Sequence, residues 1–276
     1  MKAFPIPASR PDAPASSAAS FAHPAFDPYR ALIDALGLAR GLPALAALNA
    51  AAAARDARLD NDRPLRFAAP ENRLSARDYE TGIRATGTVP TRPDTWHDTL
   101  NALVWLRFPR FKSALNTAHC AALAGETGAT RGPRRDALTV LDESGVWVLG
   151  GDAGRFELLA AHAWTALFWT RRREVETAMR FIVVGHALLE KALAPFPAMT
   201  GKCLPLAGEP FDLGTGDPDA AAVRALAGVA HPRQLPPLPI QGVPGWDPAN
   251  AHAGYYANAA VFRPPRAPLS PARTTA

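Results

Sequence analysis

DALTVLDESGVWVLGG, residues 136–151, is the stretch on which the fold turns. Two β-rich runs, DALTVLD and VWVLGG, flank Glu143-Ser144-Gly145, with glycine where a left-handed residue is needed, and the pattern predicts a β-hairpin. Downstream, Phe156, Leu159, Ala163 and Leu167 share one face of a helix expected over 155–169. Phe181 to Val184 reads as a buried strand. Gly185 turns it into a helix, His186 to Ala194, which Pro195 stops, and a further strand is expected over 202–206. The order ββαβαβ implies a small sheet covered by helices, so the predicted class is α+β. The expected architecture is a helix-rich N-terminal part packed with a small, mainly antiparallel sheet: a hairpin at about 136–151 and strands at about 180–184 and 202–206.

Upstream, apolar residues recur at helical spacing between Asp27 and Arg58, with Gly37, Gly41 and Pro43 dividing two helical pieces. RPLRFA, 63–68, is compatible with a short strand, while 72–91 gives mixed signals. The clearest helix start is PDTWHD, 93–98, where Asp94 is placed to cap the first turn and Asp98 favours the positive end of the helix dipole. That helix is expected to reach Phe108. Pro109 then suits the first turn of a second helix ending near Gly125. Residues 1–24 and 264–276 read as disordered tails around one α+β domain, 25–263. Within it the Pro-rich passage 212–263 is expected to wrap the surface, anchored by Trp246, Tyr255, Tyr256 and Phe262.

With 276 residues, 48% hydrophobic and 20% charged, the chain can bury a substantial core. Two cysteines, Cys120 and Cys203, form neither a disulfide framework nor a zinc ribbon and predict reduced thiols in the cytoplasm. No window approaches the ~18 apolar residues of a membrane span. The net charge of +5 suits an acidic small molecule and leaves nucleic acid open. Cofactor, metal and oligomeric state are not specified by any motif: G-x-S-x-G, Walker A, dinucleotide-binding glycines, H-E-x-x-H and EF-hand loops are all missing.

Three groups of residues carry candidate chemistry. His97 and Asn101 lie one helical turn apart and face the same way, with Asp98 about 100° round the helix; Asn116 and His119 share a face of the next helix. If the two helices pair, these side chains converge, and a histidine oriented by a carboxylate or amide is equipped as a general base or metal ligand. The alternative is backbone capping by His97 and Asp98 and a solvated His119. In GHALLEK, 185–191, His186 stands where a strand becomes a helix and Glu190 follows one turn later, a pair suited to proton transfer, metal binding or simply helix capping. Arg134 and Arg135, on a stiff Gly-Pro turn with Arg131, could join Arg107, Arg110 and Lys112 around an anion, since guanidinium forks match phosphate and carboxylate; ordinary ion pairs with Asp142 and Glu143 are the other reading. Catalysis is thus assigned to His97, Asp98, His186 and Glu190, and ligand binding to Asn101, Arg107, Arg110, Asn116, His119, Arg134 and Arg135.

The His97-Asp98 doublet is similar to the signature of metal-dependent HD phosphohydrolases, but that family is all-helical and needs a further upstream histidine; the only earlier one here is His23. WHDTLNALVWLRFPRFKSALNTAH (96–119), RGPRRDALTVLDESGVWV (131–148), GHALLEKALAPF (185–196) and PLPIQGVPGW (237–246) together resemble the bacterial family of domain of unknown function 3025, over roughly 27–263. The resemblance implies a bacterial protein of one domain; it carries no activity and no catalytic residue. The residues themselves suggest a small-molecule enzyme or ligand-binding protein with an Arg/His/acidic pocket for an anionic ligand, against a non-catalytic module that binds protein or nucleic acid through a basic face. The pocket reading requires His186 to lie within about 10 Å of His97 or Arg134.

Overall fold

A computed structural model describes residues 20–126, 131–150, 152–206 and 216–264. Its four-stranded sheet is built on β3 (Gly145–Leu149), every residue of which is buried. β3 pairs antiparallel with β4 (Arg180–Val183; Val146 opposite Val183) and parallel with β5 (Thr200–Leu206; Gly145 opposite Lys202). β6 (Pro237–Pro239) adds antiparallel to β5, giving the order β4-β3-β5-β6. Proline has no N–H to donate, which confines such a strand to an edge. The class is α+β, and the sheet is mainly antiparallel as expected.

The hairpin is not formed. Residues Pro133–Ser144 are an α-helix, and only the second half of the quoted stretch is a strand. Gly132 precedes Pro133 at the first helical position, Asp136 sits in the first turn, and Ala137, Leu138 and Leu141 form one buried face. The β-branched Thr139 and Val140, which favour a strand locally, lie on the half-buried side, where packing rather than propensity decides. Glu143 and Ser144 therefore end a helix instead of forming a loop.

The remaining helices are α1 (Arg30–Leu36), α2 (Leu45–Ala53), α3 (Ala76–Thr86), α4 (Trp96–Arg107), α5 (Pro109–Gly125), α6 (the Pro133–Ser144 helix), α7 (Ala153–Ala160), α8 (Arg172–Ala178), α9 (His186–Ala192) and α10 (Pro218–Leu226). Two short parallel strands, β1 (Arg66–Ala68) and β2 (Thr88–Pro90), flank α3. The single helix expected over 155–169 is broken: after α7, His162 takes φ 54° and a π-helical turn covers Thr165–Thr170. α4 is capped by Thr95, whose side chain accepts from the Asp98 N–H, not by Asp94. The first turn of α5 is capped from a distance: Asp219 on α10 accepts the Arg110 and Phe111 N–H groups at 3.0 and 2.7 Å.

Residues 1–19 and 265–276, the bulk of the expected tails, lie outside the described residues. Residues 20–24 do not behave as a tail: Phe21 and His23 are buried, and His23 bonds Gln241 at 3.0 Å. Nor does the described part of the Pro-rich passage only wrap the surface, because Leu238, Ile240, Val243, Tyr256 and Phe262 belong to the core. Among the described residues no helix is long and apolar enough to cross a membrane.

One backbone contact positions the site. A Cβ on Gly185 would lie 2.4 Å from the Gly145 nitrogen and 2.5 Å from the Ser144 Cα, so the β4–α9 turn packs directly onto the α6–β3 junction. The Val184 and Gly185 N–H groups both donate to the Gly145 carbonyl at 2.9 Å. α9 then runs against α4 and α6, which brings three separate sequence segments to one place.

Candidate functional site

Helix α4 starts at Trp96, and its first turn presents His97 toward the first residues of α9. His97 Nδ1–H donates to Glu190 Oε2 at 2.9 Å, and His97 Nε2 stands 3.0 Å from His186 Nε2. Glu190 thus reaches across to His97 rather than to His186 on its own helix. His186 is 5% exposed. Its Nδ1 makes no well-formed hydrogen bond and lies 3.8 Å from Asp142 Oδ1, while its Nε2 lies 3.8 Å from Glu143 Oε2. His97, Glu143 and His186 each offer one ligand atom, and the three atoms lie within 4.8 Å of one another.

His97, Asp142, Glu143 and His186 line a hollow of about 390 Å³, shared with Tyr79, Glu80, Asp98, Asn101, His119 and Arg135 among others. The volume falls within the usual range of small-molecule sites. A second hollow of about 460 Å³ lies beside Val175, Ile182, Val243 and Trp246, so size does not choose between them. Chemistry does: the first contains both paired histidines and several carboxylates.

Charge in this hollow is strongly coupled. Burial pushes the Asp142 carboxyl upward, but Lys112, with the charges of His186 and His119, outweighs it and holds the group at about 2. Lys112, itself buried, bonds Asp142 directly. Burial lowers His186 to about 4 and His119 to about 4, favouring neutral imidazoles. His97 is raised, first by its hydrogen bond to Glu190, and Glu190 is lowered by the same bond. Burial, then the charge of Asp142, raises Glu143. Burial also lifts Glu80 to about 7, against the opposing hydrogen bond from Asn116.

Six of the eleven sequence candidates line the hollow: His97, Asp98, Asn101, His119, Arg135 and His186. A seventh, Glu190, is tied to it through His97. Asp98 bonds neither histidine; it accepts Arg92 Nε and Nη2 at 2.9 and 2.8 Å and thereby orients Arg92, which also lines the hollow. Asn101 donates to the Tyr79 hydroxyl at 3.2 Å, and its buried Oδ1 has no hydrogen-bond partner. Asn116 lies behind the wall, donating to Glu80 Oε2 at 2.7 Å. Arg135 is held by Glu126. It does not pair with Asp142 or Glu143, and Asp136 meets Arg131 at 3.6 Å.

Three arginines are elsewhere. Arg107 donates to the Pro28 carbonyl, Arg110 pairs with Asp217, and Arg134 donates to the Val229 carbonyl. None of the three lines this hollow. Conversely, Asp142, Glu143, Tyr79, Glu80 and Arg92 line it without having been singled out. The Gly-Pro start and the buried Ala137, Leu138 and Leu141 face were the available signal that Asp142 and Glu143 end a helix.

Residues 65–266 match the family described as Protein of unknown function (DUF3025). This is most of the chain, and the chain belongs to that family. No curated protein and no solved structure matches it.

Proposed function

We propose that the chain is a small-molecule enzyme or ligand-binding protein whose α4–α6–α9 hollow receives an anionic, phosphorylated or carboxylated ligand. The observation that carries this reading is the meeting of His97 and His186 at 3.0 Å inside a hollow edged by Arg92, Arg131 and Arg135. A guanidinium has five N–H donors and a carboxylate engages at most two or so, so an arginine oriented by one acid retains donors for a second anion. The buried Asn101 Oδ1, without a hydrogen-bond partner, adds an acceptor for a ligand N–H or O–H. His97, steadied by Glu190, is the group suited to hand a proton to or from that ligand. The free Cys120 and Cys203 support a reducing cytoplasmic compartment.

The test is a thermal-shift screen of the purified full chain with phosphorylated and carboxylated metabolites. A ligand at about 100 times its Kd adds about 2.7 kcal/mol to stability, an easily read rise in Tm. The expected result is a rise in the natural protein that shrinks in Arg92→Ala and Arg131→Ala. A screen in which no anionic compound raises Tm at millimolar concentration overturns the reading.

A further inference from the structure

We propose that His97 Nε2, His186 Nε2 and the Glu143 carboxylate bind one divalent first-row transition-metal ion, zinc being well suited to this donor set, with an open coordination position facing the hollow. The site shares the hollow with the anionic ligand proposed above but does not require it. With the ion bound, His97 serves as a ligand, and the proton-transfer role given to it above belongs to the metal-free chain only.

Two nitrogens about 2.1 Å from one ion lie about 3 Å apart at a right angle and roughly 3.4 Å apart at the tetrahedral angle. The two Nε2 atoms stand 3.0 Å apart, which is already the spacing of a shared ion. The ring planes are inclined by 75° with centroids 4.5 Å apart, closer than an end-on alignment of the imidazoles over that contact allows. The two Nε2 directions are therefore bent away from the line joining them, which weakens a simple N–H···N hydrogen bond and suits convergence on a third atom. Glu143 Oε2, 3.8 Å from His186 Nε2, supplies the carboxylate.

The surroundings have the form of a metal site as well. A ligating imidazole is usually oriented by an acceptor on its other nitrogen. Glu190 holds His97 Nδ1 at 2.9 Å, and the Asp142 carboxylate lies 3.8 Å from His186 Nδ1. Asp142 and Glu143 also occupy the last turn of α6, where no basic residue belongs to the helix. Carboxylates at the negative end of a helix dipole are unfavourable unless a cation answers them. Lys112 answers Asp142; an ion between Glu143 and the imidazoles answers the other. Two histidines and one carboxylate leave positions free for water or a ligand oxygen, the arrangement of catalytic rather than structural metal centres.

The test uses the full chain, stripped with chelator and titrated with Co²⁺ and then Zn²⁺. The expected result is visible d–d absorption saturating at one Co²⁺ per chain, displaced by one Zn²⁺. His97→Gln and Glu143→Gln change side chains that are 35% and 43% exposed, so the fold should tolerate both, as circular dichroism will verify. Each is expected to weaken Zn²⁺ binding by more than about a hundredfold, and Glu190→Gln by roughly ten- to a hundredfold. A folded natural chain that takes up neither ion, or equal affinity in the natural chain and both ligand variants, overturns the site. Zinc uptake without any anion-induced rise in Tm upholds the metal site while removing the anionic-ligand reading; the converse removes the metal site alone.

Discussion

His97 and His186, 89 residues apart in sequence, bring their Nε2 atoms to 3.0 Å, and a carboxylate stands behind each ring: Glu190 on one side, Asp142 on the other. The relationship exists because α9 packs against both α4 and α6. Its parts respond differently to substitution.

Glu190 raises His97 through their hydrogen bond. In the metal-free chain, Glu190→Gln is therefore expected to lower the His97 pKa, measured from the titration of its imidazole proton by NMR. A folded-state pKa above the unfolded value of about 6.5 contributes stability that is present below that value and lost as pH rises through the folded pKa. The variant should lose this increment at low pH only. An unchanged His97 titration would show that Glu190 does not orient the ring.

Lys112 is the buried partner of Asp142, with side-chain exposures of 4% and 21%. Lys112→Met leaves a buried carboxylate without its cation and is expected to cost about 3–5 kcal/mol in urea denaturation. Adding Asp142→Asn should recover much of that loss. Additive losses in the double variant would mean the pair is not coupled.

Gly185 touches backbone at Ser144 and Gly145, where no flexible side chain is available to yield. Gly185→Ala is expected to destabilise by about 1–3 kcal/mol and to displace His186 from His97, so that Zn²⁺ binding weakens together with stability. Alanine accepted with unchanged Tm would place the turn farther from the α6–β3 junction than described.

Glu80 is raised to about 7 by burial. Its protonated form is the one the fold prefers, so its contribution is full below about 4.5 and is lost as pH rises through 7. Relative to the natural chain, Glu80→Gln should be similar in stability at pH 4.5 and more stable at pH 8, by an amount on the order of 2 kcal/mol. A difference that does not vary with pH would contradict a raised Glu80.

The α+β class, the α4 and α5 helices, the strands over 180–183 and 200–206 and the Gly185 turn into α9 were legible in the sequence, because periodicity, Pro109 and Gly185 act over a few residues. The stretch 133–144 was not: Thr139 and Val140 favour a strand and Ala137, Leu138 and Leu141 a helical face, and which pattern wins is decided by what packs against it. As a hairpin, the stretch would give Asp142 and Glu143 no helix end to share; as a helix, it sets both in its last turn.

Residue types and spacings alone pointed to His97, Asn101, His186 and Glu190 as chemistry-bearing, since each stands at a helix start or one turn beyond it. Only the tertiary structure decided that His97 rather than His186 meets Glu190, that Glu143 joins them, and that Arg107, Arg110 and Arg134 serve other contacts. The reason is physical: local sequence sets which way a side chain leaves its own helix, whereas the distance between two helices depends on the close-packed core between them.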